Sequence, residues 1–82
     1  MTRAEALSAA GVLAGTQGDH SRASALLQNS LALFRDLGDK QRSARTLADL
    51  GYTSMRQGNY KRAAVLLQES LALARDLGNK RA

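Results

Sequence analysis

Apolar residues recur at three- and four-residue steps in two parts of the chain, near residues 22–37 and 62–77. That spacing places them on one face of an α-helix and leaves the polar residues on the other face. The segments before each stripe are richer in alanine and follow the same period. The pattern predicts four helices, near residues 3–17, 20–37, 40–57 and 60–77. The apolar positions of the two strongest stripes are Ala23, Leu26, Leu27, Leu31, Phe34 and Leu37, and Ala63, Leu66, Leu67, Leu71 and Leu77.

The chain also repeats itself with a shift of 40 residues. The segment Leu26–Lys40 returns as Leu66–Lys80, and the two copies differ only at Asn29/Glu69, Phe34/Ala74 and Asp39/Asn79. A fixed shift without gaps is typical of a stacked repeat array. We therefore expect an all-α fold, an α-solenoid of two tandem helix-turn-helix hairpins. The first repeat would span residues 1–38 and the second 39–78, with 79–82 as the start of a further repeat.

Glycine followed by Asp or Asn marks the predicted helix ends. Gly18, Gly38, Gly58 and Gly78 each follow a helical stretch, where a left-handed cap favours a residue without a Cβ atom. Asp and Asn are strong N-caps for a following helix. Because the fourth such pair precedes only Lys80–Ala82, we expect a piece of a longer array or an engineered two-repeat unit.

The order of these positions resembles the tetratricopeptide repeat family. In the second repeat the matching positions are Leu47, Leu50-Gly51, Gly58-Asn59-Tyr60, Ala63, Leu67 and Ser70, and in the first they are Leu7, Ala10-Gly11, Gly18-Asp19-His20, Ala23, Leu27 and Ser30. Leucine replaces the family's frequent tryptophan, and the 40-residue spacing is similar to the longer repeats of bacterial signalling and transcription regulators. The resemblance implies a right-handed superhelix whose inner groove receives a peptide or another protein.

The resemblance also implies which residues face that groove, because the first helix of each hairpin lines it. The residues so placed are Glu5, Ser8, Ala9, Val12 and Thr16 in the first repeat, and Arg45, Ala48, Asp49, Tyr52, Met55 and Arg56 in the second. A tyrosine and an arginine beside an adaptable methionine suit a contact site, so Tyr52, Met55 and Arg56 are the favoured partner contacts. An equally weighted alternative is that Tyr52 and Met55 pack inside their hairpin.

Small residues are predicted at the centre of each hairpin. Gly11 and Gly51 lie in helix interiors, where each costs about 1 kcal/mol relative to alanine, so a neighbouring helix is expected to approach closely there. Ala23 and Ala63 are expected to face them. The larger residues expected to fill the space between the hairpins are Leu27 and Leu67.

Composition narrows the classes of function. The 82 residues suffice for one small domain, and with no cysteine they can form neither a disulfide nor a thiolate metal site. No apolar run approaches the roughly 20 residues that a membrane helix needs. His20, the one histidine, is expected to pack in a turn. These features predict a cytoplasmic protein that is not an enzyme and has no cofactor or metal.

The net charge of +5 leaves a second type of partner open. Basic residues cluster around two predicted turns, and they could attract nucleic acid or an acidic protein. A solvated surface is the favoured interpretation, since no aromatic platform or recognition-helix motif accompanies them. The two clusters are Lys40, Arg42 and Arg45, and Arg56, Lys61 and Arg62.

Three functional hypotheses result. The first is a protein-interaction scaffold with a protein or peptide partner, and the second is weak binding of nucleic acid or acidic partners. The third is self-association, because neither end of the array has the polar cap that solenoids need. The apolar residues that continue towards the end of the chain are Leu66, Leu71 and Leu77.

Overall fold

The computed structural model describes the backbone of residues 1–81 and the side chains of residues 1–78. Within that part the chain is helical apart from its first residues and three short turns, which confirms the all-α prediction. The predicted helix bounds are correct to within one residue, except at the end of the fourth helix. The four helices are α1 (Arg3–Thr16), α2 (His20–Asp36), α3 (Lys40–Arg56) and α4 (Tyr60–Arg81).

The helices form two hairpins that lie side by side. α1 packs along α2, α3 packs along α4, and α2 packs on α3 to join the hairpins, whereas α1 and α3 barely touch. The arrangement measures 39 × 30 × 17 Å. The boundary between the repeats at residues 38 and 39 stays a prediction, although it coincides with the turn between α2 and α3.

The three turns between consecutive helices close through the same set of backbone hydrogen bonds. Gly18 has φ +83°, its N–H donates to the carbonyl of Gly15 at 3.1 Å, and the N–H of Asp19 donates to the carbonyl of Ala14 at 2.9 Å. This is the Schellman motif. The Asp19 carboxylate then accepts the N–H of Arg22 at 3.1 Å and caps the next helix. The same closure and cap recur at Gly38 with Asp39 and at Gly58 with Asn59.

The predicted end of the fourth helix at Gly78 is wrong. α4 runs through Gly78 to Arg81, and positive φ angles occur at Gly18, Gly38 and Gly58 but at no other residue that the structure describes. A left-handed turn is retained where the following helix packs back on the chain. No described helix follows Gly78 and packs back on α4, and the helical hydrogen bonding continues through it. Asn79, the predicted cap of a further helix, lies inside α4; Ala82 lies outside the described residues.

The core lies where α2 meets α3. Leu27, Leu31, Leu47 and Leu50 form one buried cluster, and Leu66 and Leu73 of α4 pack against it while remaining half-buried. Burying leucine side chains contributes roughly 2 kcal/mol each. The apolar stripe of α2 therefore does most to hold the two hairpins together.

A serine on the second helix of each hairpin binds the first helix. The hydroxyl of Ser30 donates to the carbonyl of Ala4 at 2.8 Å, and that of Ser70 donates to the carbonyl of Ala44 at 2.7 Å. In the sequence, these two positions were identified only as matches to the repeat pattern. The structure adds a hydrogen bond to the tight contact, so each serine also fixes the position of its partner helix.

The glycines inside the hairpins meet leucines rather than alanines. A Cβ atom placed on Gly11 would lie 2.8 Å from Cγ of Leu27, and one on Gly51 would lie 2.7 Å from Cγ of Leu67. The expected close approach is therefore present, but the expected partner Ala23 faces Gly15 instead, at 3.7 Å. The hairpin register differs from the prediction by one helical turn. In the second repeat, the Ala63 atom nearest to a Cβ atom placed on Gly51 is the carbonyl oxygen, at 3.5 Å.

Candidate functional site

An open groove separates α1 from α3. Since these helices barely touch, their facing sides leave a cavity of about 540 Å³ towards one end. Phe34 of α2 also lines it. The remaining lining residues are Glu5, Ser8, Ala9, Val12, Leu13 and Thr16 from α1, and Arg42, Arg45, Thr46 and Asp49 from α3.

The groove continues as a second cavity of about 200 Å³. Val12, Thr16 and Asp49 line both cavities, so the two belong to one surface. The structure thus brings together most of the residues that the resemblance assigned to the groove. The residues that line only the second cavity are Gly11, Gly15, His20, Leu27, Tyr52, Thr53 and Arg56.

Two of the expected groove residues lie elsewhere on α3. Ala48 and Met55 line neither cavity. Because each residue turns an α-helix by about 100°, Met55 lies roughly 120° away from Asp49. Met55 is 41 % exposed and Tyr52, between the two directions, is 58 % exposed. This exposure shows that neither side chain is packed inside the hairpin.

Glu5 connects the beginning of α1 to α3. It forms a capping box with Thr2, in which each residue's side chain accepts the other's backbone N–H, at 3.1 and 3.3 Å. Its carboxylate also lies 3.8 Å from the guanidinium of Arg42. The hydrogen bond from the Thr2 backbone, then that from the Thr2 side chain and the charge of Arg42, lower the pKa of Glu5. Glu5 therefore remains ionised at neutral pH and fixes one edge of the groove.

Arg42 joins two carboxylates at this edge. It donates to Asp39 at 2.9 Å and lies near Glu5, and these contacts, led by the Asp39 hydrogen bond, raise its pKa. Lys40 lies 3.9 Å from Asp76. The basic cluster at the start of α3 is therefore partly neutralised within the fold, which weakens the case for a nucleic-acid surface.

Asp49 is the carboxylate at the centre of the groove. Burial raises its pKa, and the charge of Arg45 opposes that shift. Asp49 lines both cavities and lies one helical turn from Arg45 and two from Arg56. A half-buried carboxylate in a cleft costs stability, and such groups concentrate at functional sites.

Two threonines of the groove wall were not predicted from the sequence. The hydroxyl of Thr46 donates to the carbonyl of Arg42 at 2.8 Å, and that of Thr53 donates to the carbonyl of Asp49 at 2.9 Å. These bonds satisfy the hydroxyls within the helix, so both side chains are buried. Their spacing from Arg42 and Asp49 was the available signal, since these four residues follow one another at steps of three and four. Leu13 and Phe34 were also missed.

No metal-binding cluster occurs within the described part of the chain, where no three His, Cys, Asp or Glu side chains come together. His20 opens α2 and lines the second cavity, and its Nδ1 atom is buried without a hydrogen-bond partner among the described residues. None of the described helices is long and apolar enough to span a bilayer.

Comparison with known proteins identifies one family. The tetratricopeptide repeat family model matches residues 2–76, which is nearly the whole chain. The comparisons of the chain with curated proteins and with solved structures found no match.

Proposed function

Because the chain belongs to the tetratricopeptide repeat family, we propose that it is a protein-interaction module that binds a partner segment in the groove between α1 and α3. The observation that carries this proposal is the open groove itself, whose walls present apolar, cationic and anionic side chains together. The family is generally a non-enzymatic scaffold fold, so binding is the expected role of such a surface.

The side chains of the groove suit an amphipathic peptide. Val12, Leu13 and Tyr52 expose large apolar surfaces, which can contact apolar side chains of a partner. Arg45 and Asp49 provide both signs of charge. Tyrosine and arginine are enriched among the residues that dominate binding energies. We infer that Tyr52 and Arg56 provide the largest share of partner affinity, and that Glu5 and Arg42 position the groove edge.

A peptide library displayed on phage and selected against the full chain would test this site. The selected peptides would be titrated by fluorescence anisotropy against wild type and the double variant Tyr52→Ala, Arg56→Ala. We expect the double variant to bind at least about tenfold more weakly, as loss of two anchor residues predicts. Equal binding of these peptides to both proteins would remove the groove assignment.

The chain offers a matched control. Tyr60 and Arg62 are the same residue types, are exposed at the start of α4 and line neither cavity of the groove. The double variant Tyr60→Ala, Arg62→Ala should bind the same peptides within about twofold of wild type. A loss as large as that of the Tyr52 variant would show that the effect is not specific to the groove.

We further propose that this module acts in the cytoplasm, as part of a signalling or transcription regulator. The support is the resemblance of its 40-residue repeat to the arrays of such regulators and the lack of cysteine. The domains that accompany the repeat in its natural protein would test this placement, since domains typical of secreted proteins would contradict it.

A further inference from the structure

One side of α4 is exposed, although the equivalent side of α2 is covered. Leu31 and Leu71 occupy the same position in the two repeats, yet Leu31 is 7 % exposed and Leu71 is 53 % exposed. Leu27 is fully buried, whereas Leu67 is half-buried. The difference arises because α3 covers this side of α2, whereas no described helix covers the equivalent side of α4.

α1 has an exposed side that is equivalent to a buried side of α3. On α3, the residues buried as it packs against its neighbours include Ser43, Thr46 and Leu50. The residues 40 positions earlier on α1 are Arg3, Ala6 and Ala10, and all three are exposed. The two ends of the molecule thus carry the two halves of an interface that already exists in its middle.

We propose that two copies of this chain associate head to tail, with α1 of one copy packed on α4 of the other as α3 packs on α2. The two surfaces involved are different, so the contact is heterologous and leaves a free surface at each end. Further copies can add to those ends. The assembly would therefore grow with protein concentration and would not stop at a dimer.

The contact between copies is weaker than the internal one for identifiable reasons. Ala10 replaces Leu50 on one side and Ala74 replaces Phe34 on the other, so less apolar area is buried. Arg3 takes the place of Ser43, which shares a cavity with Arg35. The corresponding neighbour in the assembly is Arg75, so two like charges meet. Salt screens that repulsion, and added salt should therefore strengthen association.

Head-to-tail packing would also complete the groove around Tyr52 and Met55. These residues occupy the positions of Val12 and Gly15, which face α3 across the second cavity. In the assembly, α1 of the next copy takes the place of α3 and faces them. This consequence does not depend on peptide binding, so the association can be tested separately from the proposed function.

Sedimentation equilibrium over a concentration series, at low and raised salt, tests the proposal with variants at each end. Leu71→Glu places a charge on an exposed position of α4, and Ala10→Glu places one on an exposed position of α1. Each variant alone should be monomeric. A mixture of the two should stop at a dimer, because the α4 end of the Ala10 variant and the α1 end of the Leu71 variant are intact.

A variant that gains association excludes misfolding as the explanation. Arg3→Ser together with Ala10→Leu copies the residues of α3 onto α1 and should raise the association constant at least tenfold. An unchanged association constant would overturn the proposal, as would a strictly monomeric wild type at millimolar concentration. Contact between two α4 helices would also overturn it, and would appear as association that Leu71→Glu abolishes and Ala10→Glu leaves intact.

Discussion

Gly11 and Gly15 lie one turn apart on α1 but have different surroundings. A Cβ atom on Gly11 would collide with Cγ of Leu27, which is held in place by the core, whereas one on Gly15 would make an ordinary contact with Ala23 at 3.7 Å. The side chain across the hairpin therefore decides which glycine is required. Helix propensity favours alanine equally at both positions.

We predict that Gly11→Ala and Gly15→Ala have opposite effects on stability. Gly11→Ala should lower the free energy of unfolding by about 1 kcal/mol, because overpacking outweighs the gain in helix propensity. Gly15→Ala should raise it by up to about 1 kcal/mol. Urea denaturation followed by circular dichroism measures both. A stabilised Gly11 variant would contradict the tight contact with Leu27.

Asp49 and Asp39 are expected to respond oppositely to pH. Burial raises the folded-state pKa of Asp49 above its ordinary 3.8, so the folded protein loses stability as pH rises through that interval. The hydrogen bonds from the backbone and side chain of Arg42 lower the pKa of Asp39, so its stabilising effect is complete above 3.8 and is lost as pH falls through the folded value.

We therefore predict that Asp49→Asn stabilises the protein at pH 7, by less than about 1 kcal/mol because the half-exposed carboxylate is partly screened. The gain should disappear below pH 3.8, where aspartate is protonated in both states. Urea denaturation at pH 7 and pH 3 measures it. Asp39→Asn is the control, and it should destabilise at pH 7. A destabilised Asp49 variant at pH 7 would show that the pair with Arg45 outweighs burial.

At the scale of elements, the same Leu-Gly signal has two outcomes. Leu37 and Gly38 end α2 in a left-handed turn, whereas Leu77 and Gly78 continue α4. The preceding residues are nearly identical, so helix propensity cannot explain the difference. The turn at Gly38 is stabilised by α3, which packs back on α2 and whose first turn is capped by Asp39.

We predict that alanine substitution separates the two glycines. Gly38→Ala should lower the free energy of unfolding by about 1 kcal/mol or more, because φ is +70° there. Gly78→Ala should instead raise the helix content and the amide-exchange protection of the last turns of α4, since outside its own helix backbone and chain neighbours no described atom lies within 4 Å of the added Cβ. Lower protection after Gly78→Ala would indicate that Gly78 forms a turn in solution.

At the scale of the whole molecule, the two repeats differ in burial more than in sequence. α2 has neighbours on two sides, α1 and α3, whereas α4 packs on α3. Residues at the same position of the repeat therefore contribute unequally to stability. The first repeat's second helix is the centre of the fold, although both copies of that helix carry the same leucines.

We predict that Leu31→Ala lowers the free energy of unfolding by about 2–5 kcal/mol, as truncation of a buried leucine does. Leu71→Ala should cost less than about 1 kcal/mol, because half of that side chain is already exposed. Thermal unfolding of dilute protein, below the onset of any association, measures both. Equal losses would show that α4 is covered in solution as fully as α2.

Part of the groove could be predicted from the sequence, and part could not. Val12, Asp49 and Arg56, which the resemblance assigned to the groove, line its cavities, and all three lie on the first helix of a hairpin. Met55 lines neither cavity. The repeat gives its position within the helix but not the neighbour that this position faces. Thr46 and Thr53 follow Arg42 and Asp49 at helical spacing, but the spacing alone does not give their hydrogen bonds to those two carbonyls.

The sequence by itself determined the helices, their first three ends and the tandem hairpins. Those features depend on residues within a few positions of one another, as at Gly18 with Asp19, where the cap and the turn are local. Tertiary structure alone decided that Leu27 meets Gly11, that Met55 lines neither cavity of the groove and that α4 passes through Gly78. Each of these depends on which helix lies opposite. Residues that are identical in the two repeats can have different neighbours, and their identity alone does not specify those neighbours.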